Sequence, residues 1–311
     1  MVVYLGGFIM KNMRIPLLCT LGFAIIGIIL GSFFDLNVSK AIASSTSVVG
    51  LTLSAIGPTI GFFGVAVMGG GFVRFAIKGE YHILLKILFC ILAICCLGVA
   101  VYYPGGEYFG INGFYEKAPK WVGYIIVILP ELAGIVLGYF LFKNCSNKNM
   151  WIVFVIIIVT LVLALVVLIP TLKDIIHRPR YRLIASTGAD LFHNWWEPCK
   201  NYKELIEQYA TVSENFKSYP SGHTAEASIL LVTSTFLPLA GEEYRKYQKP
   251  LFIVSCVLIV VVALARILAA AHFLSDVSTG ATIMILLLVI VNEIVIRIKA
   301  LHIEKKQEVN E

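Results

Sequence analysis

Long apolar runs dominate this chain and constrain it more than any motif does. A helix crossing the hydrocarbon core of a bilayer needs about 20 mostly apolar residues. Eight stretches are read as such spans: Ile15–Phe34, Val48–Ala76, Leu84–Tyr102, Val122–Phe142, Trp151–Leu172, His223–Leu239, Leu251–Ala271 and Phe273–Ile296. In lipid every backbone N–H and C=O must be satisfied within its own segment, so such runs fold as helices. Of 311 residues 59% are hydrophobic and 14% charged, with a mean hydropathy of +0.86. Soluble domains carry about 25% charge, so this chain has too few charged groups to cover a watery surface. The expected fold is all-α, a polytopic integral membrane bundle of about eight spans. The net charge of +6 is scattered between the runs rather than gathered on one face, which excludes a nucleic-acid module. Ile15–Phe34 is full length and lacks a small-residue cleavage pattern, so it is expected to stay as a span.

Lys and Arg favour the cytoplasmic ends of spans. One side collects Lys11, Arg14, Arg74, Lys78, Lys143, Lys148, Arg245, Lys246, Lys249, Arg297, Lys299, Lys305 and Lys306. The connections after spans one and three hold Lys40, Lys117 and Lys120, offset by Asp35, Glu107 and Glu116. Both termini are therefore expected to be cytoplasmic, with residues 173–222 on the opposite side. The second run is rich in small residues (Gly57, Gly61, Gly64 and Gly69 to Gly71), which permit close helix approach. Five of the seven cysteines lie inside apolar runs and none shows paired metal-ligand spacing, so neither a zinc site nor a disulfide is expected. Cys199 is the one cysteine expected in an outer loop, open to a membrane-impermeant thiol reagent.

Three polar clusters sit at the outer ends of spans five to eight. They are Lys173 with Arg178, Pro179 and Arg180; Pro220-Ser221-Gly222-His223; and Arg266 with His272 and Asp276. Guanidinium and ammonium groups beside a Ser-Gly turn at a helix start form an anion cradle suited to phosphate. His272 and Asp276 are four residues apart, hence on one face if that stretch is helical, so the carboxylate can hold Nδ1–H and leave Nε2 free as a nucleophile. His223 is then the proton donor to the leaving oxygen. Fixed cations can stabilise the transferring phosphoryl group, so no metal is required.

These residues resemble the type 2 phosphatidic acid phosphatase (PAP2) superfamily, which also includes vanadium haloperoxidases and whose patterns are K-x6-R-P, P-S-G-H and S-R-x5-H-x3-D. The chain supplies Lys173-x6-Arg180, Pro220-Ser221-Gly222-His223 and Arg266-x5-His272-x3-Asp276, in that order, over roughly Trp151 to Ile296. Tyr181 stands where the first pattern has Pro, and Arg178-Pro179 supplies the same dipeptide two residues earlier. Either arginine can be the one that meets phosphate, and Arg180 is favoured. Ala265 replaces the Ser before Arg266. The resemblance implies an N-terminal set of spans over 1–147, a catalytic core over 148–298 and a cytoplasmic tail over 299–311. It implies a phosphohistidine on His272, oriented by Asp276, with His223 protonating the leaving group and then activating water. Lys173, Arg180, Arg266, Ser221 and Gly222 would hold phosphate oxygens, without a cofactor. The expected activity is that of a lipid phosphatase in the cell membrane, its site on the extracytoplasmic face. Its partners are membrane lipids and a lipid phosphate of the undecaprenyl diphosphate, phosphatidylglycerol phosphate or phosphatidic acid type. A lipid phosphotransferase, a transporter and a vanadate-dependent oxidase are the competing classes.

Several residues have plainer readings. Lys173, Arg178 and Arg182 can each snorkel to headgroups, and His177 and His193 read as surface residues. Glu131, within span four, either lines a lipid path or makes a helix-packing hydrogen bond. Glu226 either raises the His223 pKa or complements a helix dipole. Trp195 and Trp196 read as interfacial anchors, and Lys203–Tyr209 as a short amphipathic helix.

Overall fold

The structure is a computed structural model that describes residues 12–109 and 120–308. Lys11, Glu116 and Lys117, which enter the charge argument, lie outside the described residues. Four long helices come first: α1 (Arg14–Ile42), α2 (Val48–Lys78), α3 (Ile83–Phe109) and α4 (Lys120–Leu141). A continuous rod follows, made of α5 (Asn147–Ile157), a π-helical stretch (Ile158–Leu168) and α6 (Ile169–Ile176). Two short helices, α7 (Tyr181–Thr187) and α8 (Tyr202–Gln208), lie in the segment after it. Four more complete the bundle: α9 (Gly222–Ala227), α10 (Ile229–Ala240), α11 (Arg245–Leu268) and α12 (Leu274–Glu308). Among the described residues there is no strand.

Among the described residues seven helical segments are long and apolar enough to cross a membrane, rather than eight. The difference is the run beginning at His223. Ser228 N–H donates to the carbonyls of both Thr224 and Ala225, and its hydroxyl also bonds Thr224 O, so the turn tightens there and separates α9 from α10. From His223 to Ala240 every residue except Thr233 and Leu237 is buried, so this element is the centre of the bundle and not a lipid-facing span. The first helix also runs further than expected. It continues past Phe34 to Ile42, which puts Asp35 inside the helix and buried rather than in a connection.

α2 is the hub. Buried residues make up 72% of its apolar window against 17% for α1, so α2 packs on protein while α1 turns most of its surface outward. Its N-terminus is capped by Ser47, whose Oγ accepts from Gly50 N–H at 3.2 Å. Gly134 faces Phe63 and Ala66, Gly138 faces Val67, and Gly71 faces Phe142, so α2 and α4 run parallel. A Cβ on Gly138 would fall on the Val67 carbonyl oxygen, one on Gly70 on the Ile135 carbonyl oxygen, and one on Gly61 on the Glu226 carbonyl oxygen. Hydrophobic transfer drives little association between helices in lipid, so this close backbone approach supplies the attraction. α1 is seated on α12 in the same way, Gly27 against Ser278 and Gly31 against Ser275.

Residues between α6 and α9 form a cap with its own small core of Leu183, Leu191, Cys199, Leu205 and Phe216. Cys199 is 1% exposed, so the expectation of an open outer-loop thiol is corrected: the cap folds around it. Trp196 is exposed, but Trp195 stacks on Tyr219 and donates Nε1–H to Ser32 Oγ at 3.0 Å, tying the cap to α1. The short helix expected over Lys203–Tyr209 is α8. Glu131 is fully buried, with no hydrogen-bond partner for either oxygen among the described residues.

Gly138→Ala drives a methyl into the α2 backbone, and overpacking of this kind costs about 1–3 kcal/mol. Gly98→Ala adds one where nothing lies within 4 Å. Thermal unfolding in detergent is expected to show a clearly lowered melting temperature for the first variant and none for the second.

Candidate active site

The C-terminal ends of α1, α6 and α11 and the N-terminal ends of α9 and α12 meet at one end of the bundle. α6 stops at His177, which adopts a left-handed conformation (φ 47°) and turns the chain into Arg178-Pro179-Arg180. That strip lies along residues 215–218: Arg180 N–H donates to Asn215 O at 2.8 Å and Ser218 N–H to Arg178 O at 3.0 Å. Ser221 N–H donates to Asp276 O at 3.0 Å, which joins Pro220-Ser221-Gly222-His223 to α12. Gly280 permits this, since a Cβ there would fall on the Ser221 carbonyl oxygen. The chain leaves α11 through a tight turn in which Ala271 and His272 N–H both donate to Arg266 O, at 3.1 and 3.3 Å, with Ala270 at φ 55°.

His272 precedes α12, so it does not share a helical face with Asp276, as the four-residue spacing had led one to expect. Its Nδ1 lies 2.5 Å from Ser218 O and 3.8 Å from Asp276 Oδ2. A carbonyl oxygen can only accept, so Nδ1 carries the hydrogen and a neutral ring has its lone pair on Nε2. The tautomer needed for attack through Nε2 is therefore held by a backbone carbonyl, with the carboxylate one step behind. His272 is 1% exposed. Burial pushes its pKa well below the ordinary 6.5, the Arg180 and Arg266 guanidiniums push the same way, and Asp276 opposes them, so the ring stays neutral.

Asp276, fully buried, accepts three hydrogen bonds. Oδ2 accepts from Ser218 Oγ at 2.5 Å and from Phe273 N–H at 2.8 Å, while Oδ1 accepts from Arg178 Nη1 at 2.6 Å. The Phe273 bond reproduces half of a capping box, an acid at the third helical position reaching back to the residue before the helix. Arg178 is completely enclosed. Nε donates to His193 O at 2.8 Å, Nη1 also to Ser275 Oγ at 2.8 Å, and Nη2 to Asp35 Oδ2 at 2.9 Å. Phe273 and Phe192 cover the guanidinium at 4.3 and 5.4 Å. Its donors serve the protein, and its guanidinium is closed off from the surface.

Arg180, 4% exposed, faces the other way. Nη1 donates to Ala271 O at 3.4 Å beside His272, Nε to Glu214 O at 2.9 Å, and Nη2 pairs closely with the Glu214 carboxylate. The Lys173 ammonium comes within 4.0 Å of the position a Cβ would take on Gly222, and it feels the charges of Arg180, Arg266, Glu214 and Glu226. Glu226 Oε1 is 3.7 Å from that same point. Ser221 Oγ, fully buried, accepts from Thr224 Oγ1 at 3.1 Å, and His223 is 6% exposed. The structure thus gathers Lys173, Arg180, Arg266, Gly222 and His272 around one locus, with Asp276 behind His272. Three cations beside a neutral imidazole can hold the oxygens of a tetrahedral anion. Asp35, Ser218, Ser275 and Glu214 were not foreseen as members. Asp35 alone left a trace, a carboxylate following an uncharged apolar run.

Residues 149–299 match the family model of the PAP2 superfamily. No curated protein and no solved structure matches the chain. All three motif clusters lie within the matched segment; Asp35 lies outside it.

Removing Arg178 would leave two buried carboxylates without their cation, and breaking a buried pair costs about 3–5 kcal/mol. Glu214 is 44% exposed, and pairs reaching solvent contribute about 0–1 kcal/mol. Arg178→Leu is expected to unfold or sharply destabilise the protein in thermal scans, and Glu214→Gln to melt close to wild type.

Proposed function

We propose that this protein is an integral membrane phosphatase that hydrolyses a phosphate monoester or diphosphate of a lipid through a phosphohistidine on His272. The observation that carries the reading is the His272 ring, held as the Nδ1–H tautomer by Ser218 O with Arg180 and Arg266 close enough to act on its charge. Nε2 attacks phosphorus while the bond from phosphorus to the lipid oxygen breaks, and His223 gives that oxygen its proton. Lys173, Arg180, Arg266 and the Ser221-Gly222 turn hold the equatorial oxygens throughout. Asp276 compensates the positive charge the imidazole acquires. His223, now neutral, takes a proton from water, the water oxygen bonds phosphorus, the N–P bond breaks, and inorganic phosphate leaves. The Lys and Arg distribution along the chain supports a site facing the extracytoplasmic side.

An apolar crevice of about 310 Å³ supports a substrate borne by a lipid. Its walls are α1, α11 and α12, from Leu30, Ile267 and Leu274 at one end to Thr20, Cys256 and Ile285 at the other. It touches Thr224, the neighbour of His223, so a hydrocarbon chain lying in it leads to the cation cluster.

The deciding experiment is phosphate release from purified protein in EDTA, using isoprenyl diphosphate, phosphatidylglycerol phosphate and phosphatidic acid in parallel. At least one is expected to turn over. His272→Ala is expected to lose about a thousandfold or more, and His223→Ala to accumulate phosphoenzyme; an active His272→Ala protein overturns the assignment. Ala263→Phe, which fills the crevice, is expected to lower kcat/KM for the long-chain substrate at least about tenfold, and to leave hydrolysis of butyl phosphate unchanged.

A further inference from the structure

Asp35 belongs to α1, and its side chain is buried among residues of the matched segment. Oδ2 accepts from Arg178 Nη2 at 2.9 Å and from the Ser275 hydroxyl, and Oδ1 accepts from Ser275 N–H at 2.8 Å. Ser275 is the second residue of α12, where backbone N–H groups have no partner within the helix. A carboxylate from a different helix takes this one, and Asp276 takes that of Phe273. Two acids therefore hold the turn that immediately follows His272. Arg178 is clamped between the same two acids, through Nη1 to Asp276 and Nη2 to Asp35.

We propose that Asp35 is a positioning residue for His272: by fixing Ser275 and sharing Arg178, it sets where the Asp276 carboxylate stands relative to the imidazole. The proposal rests on the phosphohistidine reading of the site. The charged groups facing the ring are Asp276 from α12, Arg266 from α11 and Arg180 from the turn before α7. Arg178 and Asp35 stand behind Asp276. Without the Asp35 charge the guanidinium falls wholly to Asp276, which then compensates less of the positive charge that develops on the imidazole. Asp35 bonds Arg178 and Ser275, neither of them among the residues read as holding phosphate, so phosphate binding is spared. Docking of α1 does not itself need a carboxylate, because Gly27, Gly31 and the Ser32–Trp195 bond also seat the helix.

The test uses the full-length protein in detergent with Asp35→Asn, Asp35→Glu and Ser32→Ala. Steady-state kinetics on the lipid phosphate and nitrogen NMR titration of the His272 ring, assigned with His272→Gln, are the readouts. Asp35→Asn is expected to lower kcat at least about tenfold with KM within about twofold, and to move the ring's titration to lower pH. Asp35→Glu, which keeps the charge, is expected to restore the titration. Ser32→Ala, which removes a different contact between α1 and the rest of the protein and leaves Arg178 and Ser275 untouched, is expected to keep kcat within about twofold. Unchanged kcat and titration in Asp35→Asn overturn the proposal, and so does an equal loss in Ser32→Ala. If the wild type releases phosphate from no lipid, the functional reading has failed, and the titration difference alone decides whether Asp35 positions the ring.

Discussion

A guanidinium buried to zero exposure is costly unless its donors and its charge are met, and everything at the polar end of this bundle is arranged around meeting those of Arg178. Two carboxylates, a serine hydroxyl, a backbone carbonyl and two aromatic faces do so, and they come from α1, the cap, the turn after α11 and the first turn of α12. Replacing such a cluster by apolar side chains would often be neutral for stability, so its value lies in specifying one arrangement. That arrangement aligns the segment before α12, and with it the imidazole. Arg180, two residues on, has its guanidinium at the other face of the same strip. The two arginines divide the work between holding the site and presenting charge within it.

The apolar body of the protein follows a different rule. Glycines on α1, α2, α4 and α12 bring backbones together where lipid offers no hydrophobic drive, and the buried rod of α9 and α10 fills the centre. This packing carries His223 and Ser221 to a fixed height at the end of the bundle. Gly61 against Glu226 O and Gly280 against Ser221 O clamp the turn from both sides, so the cation cluster is built on a stiff support.

Most of the spans were legible because hydropathy needs no partner to be read. The Arg178 and Arg180 ambiguity was visible too, since two Arg-Pro-like positions competed for one role, and the two guanidiniums take different partners, Asp35 and Asp276 for one and Glu214 for the other. Three features escaped because they depend on which segment folds over which. His272 and Asp276 at four residues looked like a helical face, yet Phe273 is where α12 is capped, so the ring finds Ser218 O instead. Cys199 looked like a surface thiol because nothing local announces the small core of the cap. Asp35 looked like a loop charge because the apolar run ends at Phe34, whereas the helix does not. The run at His223 read as one more span because a buried helix and a membrane helix have the same composition.

The clamp on Arg178 also bears on how the chain is assembled. Asp35 and Arg178 are 143 positions apart, so α1 is synthesised and delivered to the bilayer long before its guanidinium exists. Through that interval the acid can remain near the lipid headgroups or travel inward only in its neutral, proton-carrying form. Release of that proton and final docking of α1 are thus chained to the arrival of α6 and then α12.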